Sequence, residues 1–111
     1  MSVPEFDALM NHALTLRKMK RDGTNSWSLD QEYPDERGWV DYGWQRILNE
    51  KDEHIEITAL VFLPSESNLD AEHEEWEIVH TQLNRTMRVK QIDPISDPQT
   101  GVLHHYEVGV V

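Results

Sequence analysis

Apolar residues alternate with polar ones along most of this chain, and a period of two predicts strands. The clearest run is Ile55, Ile57, Ala59, Val61 and Leu63, ended by Pro64. Leu14 and Leu16 open an earlier strand that reaches Met19, and Asp22-Gly23-Thr24-Asn25 reads as the turn after it. Val40, Tyr42, Trp44 and Leu48 share one face of a strand from Trp39 to Leu48. Trp76 and Ile78 do the same from Trp76 to Thr81, followed by a hairpin turn at Leu83-Asn84-Arg85. Met87 and Val89 share a face of the next strand, which runs to Ile92. Asp93-Pro94-Ile95-Ser96-Asp97-Pro98 has two Asp-Pro pairs and predicts a break. Leu103 to Val111 is the last strand, with Tyr106, Val108 and Val110 facing one way.

The N-terminus departs from this period. Ser2 can cap a helix, Glu5 follows at capping-box spacing, and Pro4 suits a first turn. Phe6, Leu9, Met10 and Ala13 then fall on one helical stripe, so a short helix is expected to about Asn11. Ser26 to Gly38 reads as a long polar connection, a short strand or a loop pinned by Trp27, Leu29 and Tyr33. Ser65 to Glu74 reads as a second polar loop. The sum is mainly β: one domain over residues 1–111, a small antiparallel barrel or sandwich of about six strands, with a short N-terminal helix and long loops.

Composition narrows the function. The chain has 111 residues, 10 basic against 21 acidic, and a formal net charge of −11. The excess is local: residues 50–77 hold one Lys and ten Asp or Glu. Such a surface repels phosphate and disfavours sequence-specific duplex binding, which needs Lys and Arg. The plain reading is a solvated acidic face. The sharper readings are a surface that mimics DNA, or a passage in which DNA slides without sticking. The absence of cysteine excludes disulfides, thiolate metal sites and thiol catalysis. No membrane segment is expected, because the longest apolar run, Ala59 to Leu63, is far short of the roughly 20 residues a spanning helix needs. Met1 to Phe6 lacks the features of a signal peptide.

Chemistry is sparse. His12, His54, His73, His80, His104 and His105 form no metal-binding helical spacing, and surface positions are expected for them. His104 and His105 are adjacent and should point to opposite strand faces. Asp93 and Asp97 lack the spacing of a calcium loop. There is no nucleophile elbow and no phosphate-binding glycine loop. A barrel this small should also hold no pocket above about 300 Å³. No catalytic residue, metal or cofactor is therefore assigned. Trp44 and Trp76 read as core, while Trp27 and Trp39, flanking the long connection, are candidate partner contacts.

The order of features resembles the small head–tail joining proteins of long-tailed bacteriophages, the head-completion or stopper family. The resemblance runs from the helix and strand Phe6 to Met19 and the turn Arg21-Asp22-Gly23, through the strand Val40 to Leu48 and an acidic loop, to Ile57-Thr58-Ala59-Leu60-Val61-Phe62-Leu63-Pro64. Its most telling part is Met87-Arg88-Val89-Lys90-Gln91-Ile92-Asp93-Pro94, followed by the closing segment Asp97 to Val108. Met87 stands where the family commonly has an aromatic, and Ala71-Glu72-His73-Glu74-Glu75 replaces its Gly-Asp pair.

The resemblance implies a ring of copies, usually a hexamer, below the portal and adaptor proteins. The ring closes the channel after packaging, holds the DNA sterically and docks the tail terminator or tail tube. The protein would sit at the head–tail interface of the virion, and in the host cytoplasm during assembly. By position, the channel-closing loop is Asn49, Glu50, Lys51, Asp52, Glu53 and His54. Tyr106, Val108 and Val110 of the last strand are candidate subunit contacts, because an edge strand can pair between copies. Long polar segments at 24–38 and 65–75 would order on docking. The alternative from the charge pattern is an acidic DNA-mimic inhibitor of a host nuclease or defence protein.

Overall fold

Alternation sets which side of each strand is buried, and the buried sides meet in one core. The computed structural model describes residues 9–23, 26–48, 51–73 and 75–111. Its strands are β1 (His12–Arg21), β2 (Trp27–Leu48), β3 (His54–Pro64), β4 (Trp76–His80), β5 (Arg85–Ser96) and β6 (Leu103–Val110), with a 3-10 turn at Thr81–Leu83. All pairings are antiparallel, and they run in a closed cycle, β1-β2-β3-β6-β5-β4 and back to β1.

Leu14 and Leu16 of β1, Ile57 to Leu63 at every second position of β3, Trp76 and Ile78 of β4, Met87 of β5, and Val108 and Val110 of β6 have almost no exposed surface. Removing such side chains from water contributes about 1.5–3 kcal/mol each. The connection from 65 to 75 is anchored rather than loose. Leu69 is buried in the core, Trp76 Nε1 donates to the Asp70 carbonyl at 3.2 Å, and the Glu36 carboxylate accepts from Ser67 Oγ, Asn68 N and Asn68 Nδ2 at 2.7–3.1 Å.

Four expectations change. The expected helix falls mainly on residues 1–8, outside the described residues, and Ala13, assigned to its stripe, belongs to β1. Of the described residues in that span, Leu9 is helical and Met10 and Asn11 are not.

Of the two readings of Ser26 to Gly38 the strand holds, and it is longer than expected: from Trp27 the stretch is the first half of β2, paired with β1. Ladder bonds need main chain, not apolar side chains, so this strand carries little hydrophobic signal. Two irregularities hide it further. The register slips between Leu14 and Leu16 and between Lys18 and Met19, which places an extra β2 residue near Pro34 and another at Asp30. A bulge is where a strand tolerates proline.

The break expected at Asp93 to Pro98 comes later. β5 continues through Pro94, which pairs with Tyr106, to Ser96. Among the described residues β5 beyond Arg88 has β6 as its one strand partner, so a missing N–H is tolerated there.

Trp44 is not core: it is 65% exposed, and Leu48 is 54% exposed. The β2–β3 register slips between Tyr42 and Gln45, and one extra residue reverses the alternation after it.

Candidate functional site

The β2–β3 hairpin reaches beyond the closed cycle. β2 changes partner at its middle: His12↔Gly38 is the last rung with β1, and Trp39↔Phe62 begins the ladder with β3. β6 joins β3 only from Ala59 onward. Among the described residues, 45–48 and 54–57 therefore pair as strands with each other alone, forming a two-stranded arm. Arg46 and Glu56 bridge its strands at 3.5 Å. Its far end lies back on the sheet: Gly109 of β6 leaves room for Ile47 and Ile57, and Gln91 Nε2 of β5 donates to the Leu48 carbonyl at 3.4 Å.

The expected channel-closing segment is the tip of this arm. Lys51, Asp52 and Glu53 form an exposed turn in which Asp52 takes a left-handed conformation (φ 59°), and His54 is the exposed first residue of β3. Asn49 and Glu50 lie outside the described residues. Between the tip, the 65–75 connection and β5 runs an open groove of ≈ 610 Å³, larger than expected for this sheet. Lys51, Arg88 and Lys90 line it with Glu53, Glu75 and His73, so it is a mixed-charge surface.

The candidate contacts separate into two groups. Trp27 is half-buried beneath the Arg21 guanidinium, 4.7 Å from its ring centre. Trp39 is 38% exposed and stacks on His12 at 4.4 Å. Both retain surface for a partner. Tyr106 is half-buried against the core, and burial, with the nearby Asp70 charge second, raises its hydroxyl pKa. Val108 and Val110 are fully buried, and β6 is paired by β3 on one side and β5 on the other. Their role is packing, and β6 offers no free edge to a second subunit. Among the described residues, strand edges without a strand partner lie instead elsewhere, on β2 from residue 42 to 48 and on β5 beyond Arg88 among others.

Sequence reasoning missed a column of rings at the root of the arm. Trp39, His12, His80 and Tyr42 stack in that order, with ring centres 4.4, 4.8 and 5.8 Å apart, and the Arg85 guanidinium lies 4.8 Å over Tyr42. Val40 N donates to His12 Nδ1 at 3.0 Å, and the Tyr42 hydroxyl lies 2.6 Å from His80 Nδ1. His80 is 4% exposed, not a surface histidine. Burial, and secondarily His80, lowers the His12 pKa; burial raises that of Tyr42, against an opposing pull from Arg85. The signal was present in the sequence. His12 is in phase with Leu14 and Leu16, and His80 with Trp76 and Ile78, so both alternate with core positions.

His104 and His105 also differ from expectation: their Nδ1 atoms are 2.8 Å apart, and His105 Nε2 lies 3.5 Å from Glu107. Among the described residues no group of three or more His, Asp or Glu side chains is placed to hold a metal, and no helix is long and apolar enough to cross a membrane. The chain matches no protein-family model, no curated protein and no solved structure.

Proposed function

We propose that this chain is a structural, ring-forming subunit of a tailed-phage head–tail joint, a small β-barrel whose β2–β3 arms together close the DNA channel. The observation that carries the reading is the arm itself: a two-stranded extension of the closed cycle with a charged turn at 51–53. One copy cannot close a pore, whereas copies related by rotation each supply an arm. The open β2 edge from 42 to 48, with exposed Trp44 and Leu48, supports assembly, because an unpaired edge accepts main-chain hydrogen bonds from another chain. An acidic tip repels packaged DNA while obstructing it sterically. Like charges meeting at the axis repel one another, and Lys51 and His54 beside Asp52 and Glu53 moderate that repulsion. Its neighbours in this reading are the portal or adaptor ring above and the tail terminator or tube below.

The test is electron microscopy of particles from a phage carrying a stop codon in this gene. Leaking or emptied heads beside free, complete tails are expected. Normal infectious virions lacking the protein would overturn the reading and favour the acidic inhibitor of a host nuclease or defence protein.

A further inference from the structure

The ring column joins three strands at one place. His12 opens β1, His80 closes β4, and Trp39, Val40 and Tyr42 lie on β2 immediately before the arm. The β1 ladder ends at Gly38, so the next inward-facing amide on that side of β2, Val40 N–H, has an imidazole as its acceptor instead of a strand. An amide can only donate, so His12 Nδ1 must carry no proton. The partners of His80 are compatible with a neutral ring as well: a proton on Nε2 faces Gln82 Oε1 at 3.4 Å, and Nδ1 accepts from the Tyr42 hydroxyl.

We propose that His12 is a proton-operated latch, which through its bond to the Val40 amide holds the root of the β2–β3 arm against β1 while Nδ1 carries no proton, and releases it when that nitrogen is protonated. A proton on His12 Nδ1 would set two donors against each other 3.0 Å apart. No anionic group among the described residues faces the rings: β2 contributes Tyr42 and Trp39, the 3-10 turn the neutral Gln82, and β5 the cationic Arg85; the Trp39 face attracts an imidazolium but does not restore the Val40 bond. Among the described residues no carboxylate pairs with either ring. The lowered His12 pKa agrees with this geometry. The inference concerns the arm's attachment and holds whether or not the chain assembles into a ring.

The experiment is NMR of the full chain at about pH 7.5 and about pH 5, reading the histidine ring nitrogens and amide hydrogen exchange corrected for its intrinsic pH dependence. At the higher pH, His12 shows the tautomer protonated at Nε2. On acidification it charges, and protection of the Val40 amide falls about fivefold to tenfold, the equivalent of one lost hydrogen bond. Leu16 and Val61 in the core keep their protection. The variant His12→Asn keeps an acceptor oxygen near the Nδ1 position but cannot titrate, so its Val40 protection is independent of pH. The latch is refuted if His12 stays neutral at the lower pH, or if it charges while Val40 protection holds. Loss of protection at Leu16 and Val61 together with Val40, or a pH response that survives in the variant, refutes it equally.

Discussion

Replacing Gly38 with alanine tests whether β2 really passes between two partners at this point. Gly38 is buried at the crossing, where it forms the last β1 rung immediately before the first β3 rung. A methyl group on its Cα would lie 2.6 Å from the Phe62 carbonyl oxygen, 2.7 Å from Leu14 Cδ1 and 3.0 Å from Leu63 Cδ2. The leucine tips can rotate away, but the carbonyl belongs to the β3 main chain and moves only with the ladder. Gly→Ala ordinarily gains about 0.4–1 kcal/mol through the unfolded chain, whereas overpacking a core costs about 1–3 kcal/mol. With a main-chain atom as the obstacle the cost prevails, and a net loss of about 1–2 kcal/mol is expected. Gly109→Ala is the control. Its methyl meets Ile57 Cγ2 at 3.0 Å and Ile47 Cδ1 at 3.1 Å, both side-chain tips, so its effect should stay within about 1 kcal/mol. Urea unfolding followed by tryptophan fluorescence gives both values, and a loss of 1 kcal/mol should lower Tm by about 4–8 °C in a domain this small. A Gly38→Ala protein as stable as the parent, or a larger loss at Gly109, would refute the crossing.

Further substitutions probe other parts of the account. Trp76→Ala removes a side chain that is 2% exposed and should cost about 3–5 kcal/mol in chemical denaturation. Trp44→Ser should leave Tm within about 2 °C, because the ring is 65% exposed, while weakening self-association measured by sedimentation. Glu36→Ala removes the acceptor of three hydrogen bonds from the 65–75 connection and should cost about 1–3 kcal/mol, with faster amide exchange at Asn68. Thermal melts should also fall as pH drops below about 6.5, because the unfolded chain then binds a proton that folded His12, with its lowered pKa, resists. Tyr42 and Tyr106, both raised above 10.0, have the opposite sign: their contribution is complete below that pH and is lost as pH rises above it.

How far the sequence revealed the fold depended on whether a segment used side-chain alternation. β3 was legible because Ile57, Ala59, Val61 and Leu63 all face the core. β4 and β6 followed from Trp76 with Ile78 and from Val108 with Val110. The first half of β2 was hidden because β1 holds it by main-chain bonds and its bulges near Asp30 and Pro34 break the period. Trp44 and Leu48 were assigned to the wrong side because a slip after Tyr42 reverses every later residue. The turn at 51–53 was legible as a polar interruption between two strands, whereas the extent of the arm depends on where β6 joins β3, a long-range pairing with no local signature. His12 and His80 were in phase with core residues, yet histidine's usual exposure outweighed that phase. The last strand was read correctly as a strand, but its availability to a partner depended on neighbours that alternation does not specify.

The most direct test of the proposed role is a cryo-electron microscopy reconstruction of the head–tail joint in tailed particles assembled from the genome that carries this chain's gene. The account predicts a single ring of this closed six-stranded sheet, with the turns at 51–53 converging on the channel axis. A joint with no such ring, or a ring whose arms point away from the axis, would contradict it.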